Sequence, residues 1–273
     1  MITFPFAKIN LGLNIVSRRP DGYHDIDTVF YPIALTDVLE IVPRTTGDTT
    51  LSCLGNAVDC PVERNLVMRA YRLMQHHHDI SAVDIVLYKH IPDGAGLGGG
   101  SSDAAHTLIM LNDLFDLKLD AATLASYAAT LGADCPFFIY GKPLRATGIG
   151  DVFSSVSVSL ASRSLLLVKP PVSVSTAEAY SRVTPQVPEQ TPDQILLSPI
   201  DKWQGSLVND FEESVFAIHP LLADIKQRLI DAGALYAAMS GSGSSLFGIF
   251  DTATLSESAC DAVAEFEHFV INL

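Results

Sequence analysis

The sequence predicts a mixed α/β (α+β) fold built as two lobes, and three observations predict it. The chain has 273 residues, 48% of them hydrophobic, which is ample for a large buried core. Its first ninety residues are rich in strand patterns and carry one amphipathic helix. Beyond a proline-studded connection, helical and strand patterns alternate to the end of the chain.

Taken in order, β-branched and aromatic runs mark strands over residues 9–16, 27–35, 38–42 and 83–88. Between the last two, Leu66, Val67, Ala70, Leu73 and Met74 recur at helical spacing and predict a helix over 65–77 with one core-facing stripe. A glycine run follows, then helices over 101–114, with Ala104, Ala105, Leu108, Ile109, Leu111 and Leu114 available for packing, and over 120–131. Residues 163–168 read as a buried strand. Pro185, Pro188, Pro192 and Pro199 stand among polar residues, so 185–199 is an irregular connection and a candidate lobe boundary. A helix over 220–232 is ended by Gly233. A strand over 235–239, a glycine-serine turn, a strand over 245–250, a helix over 257–266 and a strand over 269–273 complete the chain.

Composition excludes several classes. No stretch approaches the roughly 18 apolar residues of a membrane helix, and the N-terminus lacks a basic segment followed by an apolar core, so the expected location is the cytoplasm. Cys53, Cys60, Cys135 and Cys260 form no C-x-x-C pair, which argues against a disulfide framework or a zinc site. A formal charge of -14 argues against nucleic acid or an anionic membrane as partner. Any polyphosphate site in so acidic a chain must draw positive potential from backbone N–H groups, a helix terminus and a few basic side chains.

Such a site is visible in Pro92-Asp93-Gly94-Ala95-Gly96-Leu97-Gly98-Gly99-Gly100-Ser101-Ser102. Glycines between a strand and a helix let the backbone approach an anion and aim successive N–H groups and the helix N-terminus at it. The plain alternative is a flexible loop with a serine cap. Against it stands the tight flanking by a strand and an amphipathic helix. Gly94-x-Gly96-x-x-Gly99 also matches the dinucleotide fingerprint, but the strand ending in an acidic residue about 20 positions on is missing. No Gly-Lys-Ser/Thr follows, which excludes a P-loop, and neither His-Arg-Asp nor Asp-Phe-Gly of the protein kinases occurs.

The run extended through Asp103-Ala104-Ala105 resembles the central phosphate-binding motif of the GHMP kinases, small-molecule kinases that use ATP. Two further blocks support the resemblance: Ala7-Lys8-Ile9-Asn10-Leu11-Gly12-Leu13 with Arg19-Pro20-Asp21-Gly22-Tyr23-His24, and Met239-Ser240-Gly241-Ser242-Gly243-Ser244. Together they span nearly the whole chain. The resemblance implies an N-terminal lobe like ribosomal protein S5 domain 2 over residues 1–160, a ferredoxin-like lobe over 161–273, and an active site in the cleft between them. It also implies phosphoryl transfer from ATP, with Mg²⁺, to a hydroxyl of a small molecule. The Tyr23-His24 block resembles that of the branch whose acceptor is a cytidine diphosphate-linked polyol. Nucleic acid and membrane are not expected partners, and the expected state is a monomer or weak homodimer.

By position in its motif, Asp134 in Gly132-Ala133-Asp134-Cys135-Pro136 matches the family's catalytic base and Lys8 its catalytic lysine. The residue types suit the chemistry: a carboxylate accepts the proton of the attacking hydroxyl, and an ammonium offsets charge on the transferred group. Read without the motif, Lys8 is an exposed strand lysine and Asp134 an N-cap. Asn10, two residues from Lys8, shares its strand face and would bond the acceptor. Tyr23 would stack on the cytosine and His24 would read its polar edge; the second stacking aromatic would fall at Tyr180, otherwise a core tyrosine on a short helix. The backbone of residues 93–100, with Ser101 and Ser102, would hold ATP, and Ser102 is the candidate to help hold the metal, since no acidic ligand matches. Gly241 and Ser242 would line the site; alone they are a hairpin turn.

Three features invite over-reading. His76-His77-His78 point in different directions on a helix and read as its solvated end. Trp203 needs no role beyond packing. Asp210 with Glu212-Glu213 looks like a carboxylate pair, yet nothing places it at the site. The rival functions are a homoserine- or mevalonate-type kinase, which has no need of a base-stacking block, and a catalytically silent binding protein, which has no need of Lys8 and Asp134.

Overall fold

A computed structural model describes residues 1–56, 60–251, 255 and 257–273, which form two compact units. Unit 1 comprises Met1–Ala7, Leu35–Asp93 and Gly98–Lys142; unit 2 comprises Lys8–Ala34, Gly94–Leu97 and Pro143–Leu273. Unit 1 thus lies within residues 1–160, while unit 2 draws segments from both sides of that limit.

Unit 1 is a sheet covered on one face by helices. Its strands are β1 (Ile2–Thr3), β4 (Val38–Pro43), β5 (Thr50–Gly55) and β6 (Val83–Lys89), in the order β1-β4-β6-β5. The helices are α1 (Leu66–His77), α2 (Gly99–Leu114), α3 (Ala121–Ala129) and α4 (Cys135–Tyr140). β6 shows why the layer forms: Val83, Ile85, Leu87 and Lys89 alternate onto the buried face. Val67, Ala70 and Met74 of α1 and Ala104, Leu108 and Leu111 of α2 pack against Ile85 and Leu87. β5 pairs parallel with β6, and α1 makes the crossover that a parallel pair requires. The side chain of Asn65 caps α1 by accepting from the Val67 N–H at 2.9 Å.

Unit 2 contains two sheets. The first has the order β2 (Phe6–Arg18), β3 (His24–Thr36), β7 (Leu144–Thr147) and β8 (Val152–Ser155). The second is antiparallel throughout, in the order β10 (Tyr236–Met239), β11 (Leu246–Asp251), β9 (Arg163–Lys169) and β12 (Glu267–Asn272). Its helices are α5 (Thr176–Tyr180), α6 (Pro192–Ile195), α7 (Phe211–Ile218), α8 (Pro220–Asp231) and α9 (Glu257–Asp261). Central strand β9 is buried from Ser164 to Val168, which explains its unbroken apolar run in place of an alternation.

Most expected elements occur within a residue or two of their expected limits. The helix expected over 257–266 differs. α9 stops at Asp261, because Val263, Ala264 and Phe266 bond back three residues and close tight turns. The irregular stretch 185–199 contains the single turn α6, started by a Thr191/Gln194 capping box.

Candidate active site

Within the loop, Gly94, Gly96 and Gly98 have φ of 59°, 74° and 72°, while the intervening Ala95 and Leu97 are buried. The alternation explains the G-x-G-x-G spacing, since only glycine takes left-handed φ at every second position without strain. Gly98 is the N-cap of α2, so the first N–H groups of that helix lie in the glycine run with no intrahelical acceptor.

In unit 1, Ser101 in the first turn of α2 donates its hydroxyl to Asp134 Oδ1 at 2.7 Å. Asp134 occupies the N-cap position of α4 but makes no capping hydrogen bond, so its carboxylate is held by Ser101 rather than spent on the helix. Burial, and then the Asp134 charge, push the neighbouring Cys135 thiol up to about 12. Ser102 is buried, its Oγ 3.4 Å from His106 Nδ1, so the two serines of the motif face different surroundings.

A cavity of about 190 Å³ opens beside this turn, lined by Asn65, Leu66, Leu87, Lys89, Gly100 and Asp103 among others. In its lining the buried Lys89 pairs with Asp37 and, at 2.7 Å, with Asp103 Oδ2. Asp37 also accepts the N–H groups of His90 and Ile91 at 2.6 and 2.8 Å, which fixes the approach to the glycine run. Two buried carboxylates share one ammonium. Burial pushes Asp103 up to about 7, with the Asp37 charge adding to it and Lys89 opposing. Burial alone would lower Lys89, but the two carboxylates outweigh it and hold the ammonium above its ordinary value.

In unit 2, Lys8 on β2 is 5% exposed, and its Nζ donates to Asn10 Oδ1 at 2.6 Å and to Gly96 O at 2.8 Å. The shared strand face of Lys8 and Asn10 is therefore realised as a direct bond. Asn10 Nδ2 donates to Thr28 Oγ1 at 2.9 Å. Ser240 Oγ donates to Gly96 O at 3.0 Å, and Gly241 lies so close to Asn10 and Gly96 that a Cβ there would meet both at 3.3–3.4 Å. The Gly241 turn thus belongs to the same cluster as Lys8, and Ser242 beside it is half-buried. Asn209, which no sequence pattern flags, donates to the carbonyls of Met239 and Gly241, both at 2.8 Å, and pins that turn.

The aromatic residues fall in unit 2 as well. Tyr23 is 62% exposed on a turn that Asp21 closes by accepting its N–H at 3.0 Å. The rings of His24 and Tyr180 stack at 4.5 Å and 19°, and Phe211 meets Tyr180 edge-on at 4.7 Å. Burial raises the Tyr180 phenol.

Glu212, Asp210, His77 and Trp203 are engaged in structure. Glu212 holds Lys226 at 2.5 Å and the Met239 N–H at 2.8 Å, and Asp210 accepts the Ile15 N–H at 2.7 Å. His77 stacks on Tyr127 at 4.9 Å, and the Trp203 indole donates to Ser198 O at 2.9 Å. Among the described residues no group of three His, Cys, Asp or Glu is placed to hold a metal ion.

Two family models match the chain, GHMP kinases N terminal domain over residues 65–142 and GHMP kinases C terminal over residues 196–268. The chain is also 52% identical over 254 residues, 93% of both sequences, to a protein of Parabacteroides distasonis named 4-diphosphocytidyl-2-C-methyl-D-erythritol kinase. The chain belongs to the GHMP kinase family. A GHMP kinase of Bacteroides thetaiotaomicron with the same name is 50% identical over 92% of both sequences. The crystal structure of a 4-(cytidine 5'-diphospho)-2C-methyl-D-erythritol kinase superposes with a TM-score of 0.85 at 32% identity, covering 99% of this chain and 98% of that one. Homoserine kinase from Cytophaga hutchinsonii, at 16% identity and a TM-score of 0.72, shares the GHMP kinase fold.

Proposed function

We propose that this GHMP kinase transfers the γ-phosphoryl group of ATP to the 2-hydroxyl of 4-diphosphocytidyl-2-C-methyl-D-erythritol, giving the 2-phosphate, in the non-mevalonate route to isoprenoid precursors. The observation that carries the reading is the 52% identity, over nine-tenths of both chains, to a kinase named for that acceptor.

In this reading the free N–H groups of Gly98, Gly99 and Gly100 and the N-terminus of α2 hold the phosphates of ATP, supplying positive potential that a chain of charge -14 otherwise lacks. The adjoining cavity with Asn65, Leu66 and Lys89 receives the nucleoside end. Asp134, oriented by Ser101, accepts the proton of the acceptor hydroxyl as its oxygen bonds to phosphorus and ADP leaves with the bonding pair. The Lys8 ammonium offsets charge on the transferred group while Gly96 O and Asn10 fix its direction. Tyr23, His24 and Tyr180 recognise the cytosine of the acceptor. Mg²⁺ would be held chiefly by the ATP oxygens; Ser102, the serine the motif offers for the metal, is fully buried with its hydroxyl turned to His106, so the less buried Ser101 hydroxyl is the oxygen donor suited to complete the shell. The protein acts in the cytoplasm as a monomer or weak homodimer.

The test is to incubate the protein with ATP, Mg²⁺ and, separately, the cytidyl acceptor, homoserine and mevalonate, and to follow ADP. Turnover with the cytidyl acceptor alone is expected. Equal turnover with homoserine, or none with the cytidyl acceptor, overturns the reading.

A further inference from the structure

α5 spans five residues, a length at which a helix does not hold itself together in water, so its place depends on what clamps it. One clamp is internal, a capping box in which Ser175 Oγ accepts the Glu178 N–H at 3.1 Å and Glu178 Oε2 accepts the Ser175 N–H at 3.4 Å. Beside the His24 ring that stacks on Tyr180, others come from one face of α7 and the residue that follows it. Phe211, Ser214 and His219 lie at i, i+3 and i+8 of a helical path, hence on one side. Phe211 meets the Tyr180 ring edge-on, Ser214 Oγ donates to the Glu178 carbonyl at 3.3 Å, and His219 Nε2 lies 2.8 Å from Glu178 Oε1. A carboxylate only accepts, so Nε2 carries the hydrogen and donates. His219 is itself fixed, because it joins α7 to α8 and its N–H donates to Val215 O at 2.8 Å. Glu178 therefore spends one carboxylate oxygen on its own helix and the other on a rigid corner, two residues before Tyr180.

We infer that the Glu178–His219 pair positions Tyr180, and so sets the affinity of the site for the base of the acceptor. The inference rests on the reading that Tyr180 is one of the acceptor-recognising aromatics. Neither residue needs to touch the acceptor. The pair fixes the height and tilt of α5, and thereby the plane that Tyr180 offers.

The experiment compares steady-state constants of His219→Ala, His219→Gln and Tyr180→Ala with those of the unaltered protein. Gln places a donor nitrogen near the position of the histidine Nε2, whereas Ala removes it. His219→Ala is expected to raise the acceptor KM by roughly three- to tenfold, the loss of one charge-assisted hydrogen bond, with the ATP KM and kcat within about twofold. His219→Gln is expected to restore most of that loss, which a purely structural role for the imidazole ring would not produce. Glu178→Gln, which retains an acceptor oxygen and the local cap, serves if His219→Ala fails to fold, and is expected to raise the same constant by a smaller factor. An unchanged acceptor KM in the folded variants, a parallel rise in the ATP KM, or no rescue by Gln overturns the inference. Should Tyr180→Ala itself leave the acceptor KM unchanged, the assignment of Tyr180 fails instead.

Discussion

Ser101 donates its hydroxyl to the Asp134 carboxylate at 2.7 Å, tying the first turn of the helix behind the glycine run to the residue that precedes α4. The bond orients one carboxylate oxygen and leaves the other lone pairs for a substrate proton. Removing the carboxylate charge should therefore be far more damaging than removing its guide. Asp134→Asn is expected to lower kcat by roughly a hundred- to ten-thousandfold, the range for loss of a general base, while ATP still binds. Ser101→Ala is expected to cost roughly tenfold in kcat. Steady-state turnover with nucleotide binding measured separately decides it. An active Asp134→Asn would move the base elsewhere.

Gly96 and Gly100 stand four residues apart in one motif and should respond oppositely to alanine. A Cβ on Gly96 would sit 2.0 Å from the backbone oxygen of Ser240, at a φ of +74°. Ser240 directly follows β10 and its N–H is bonded to Ser245 O at 2.9 Å, so neither partner can yield cheaply. Gly96→Ala is expected to destabilise the protein by at least roughly 2 kcal/mol in urea unfolding. A Cβ on Gly100 would meet only the tip of Leu66, at 3.7 Å, and the residue is helical. Gly100→Ala is expected to fold with unchanged stability but a raised ATP KM, because the methyl group stands beside the N–H groups assigned to phosphate. Equal stability of the two variants would refute the close-approach argument.

These contrasts mark what the sequence made legible. Local patterns carried well: the β-branched and aromatic run over 83–88 marked β6, and the stripe of Leu66, Val67, Ala70, Leu73 and Met74 at helical spacing marked α1. Motif position brought Lys8, Asn10, Gly96 and Gly241 onto one list, and the structure finds them in one cluster. α4 went unread although Pro136 in its first turn and Gly141 at φ +61° just past its end are start and stop signals. β5 went unread because most of it is exposed, so no alternation toward a core marks it. Contacts between distant segments leave no local trace, which is why Asn209 beneath the Gly241 turn, Asp37 on Lys89 and His219 on Glu178 emerged only from the fold.

The buried Lys89–Asp37–Asp103 group predicts a pH dependence of stability. Asp103 has an ordinary value of 3.8 and is pushed up to about 7 in the folded chain, with burial as the main cause. Between those values the folded state binds more protons than the unfolded state, so stability falls as pH rises. The contribution is fully present below about 3.8 and lost as pH passes through about 7. Asp103→Asn removes that titration while keeping the shape. The melting temperature of the unaltered protein relative to the variant is therefore expected to decline from pH 4 to pH 8. A constant difference across that range would show that Asp103 stays ionised.

Tyr23 offers a clean separation between acceptor and nucleotide. Tyr23 is 62% exposed, so truncation removes little packing, and Tyr23→Ala is expected to change stability by no more than about 0.5 kcal/mol. An exposed aromatic on a turn closed by Asp21 is held in place without being buried, the arrangement a stacking residue needs before its ligand arrives. His24 is placed differently, for its ring already covers a face of Tyr180 at 4.5 Å. A base that stacks on that face must displace it, whereas Tyr23 is open. Tyr23→Ala is accordingly expected to raise the acceptor KM by roughly five- to tenfold through lost stacking, with the ATP KM unchanged. Initial rates with each substrate varied in turn provide the measurement. A rise in the ATP KM with none in the acceptor KM would assign Tyr23 to the nucleotide.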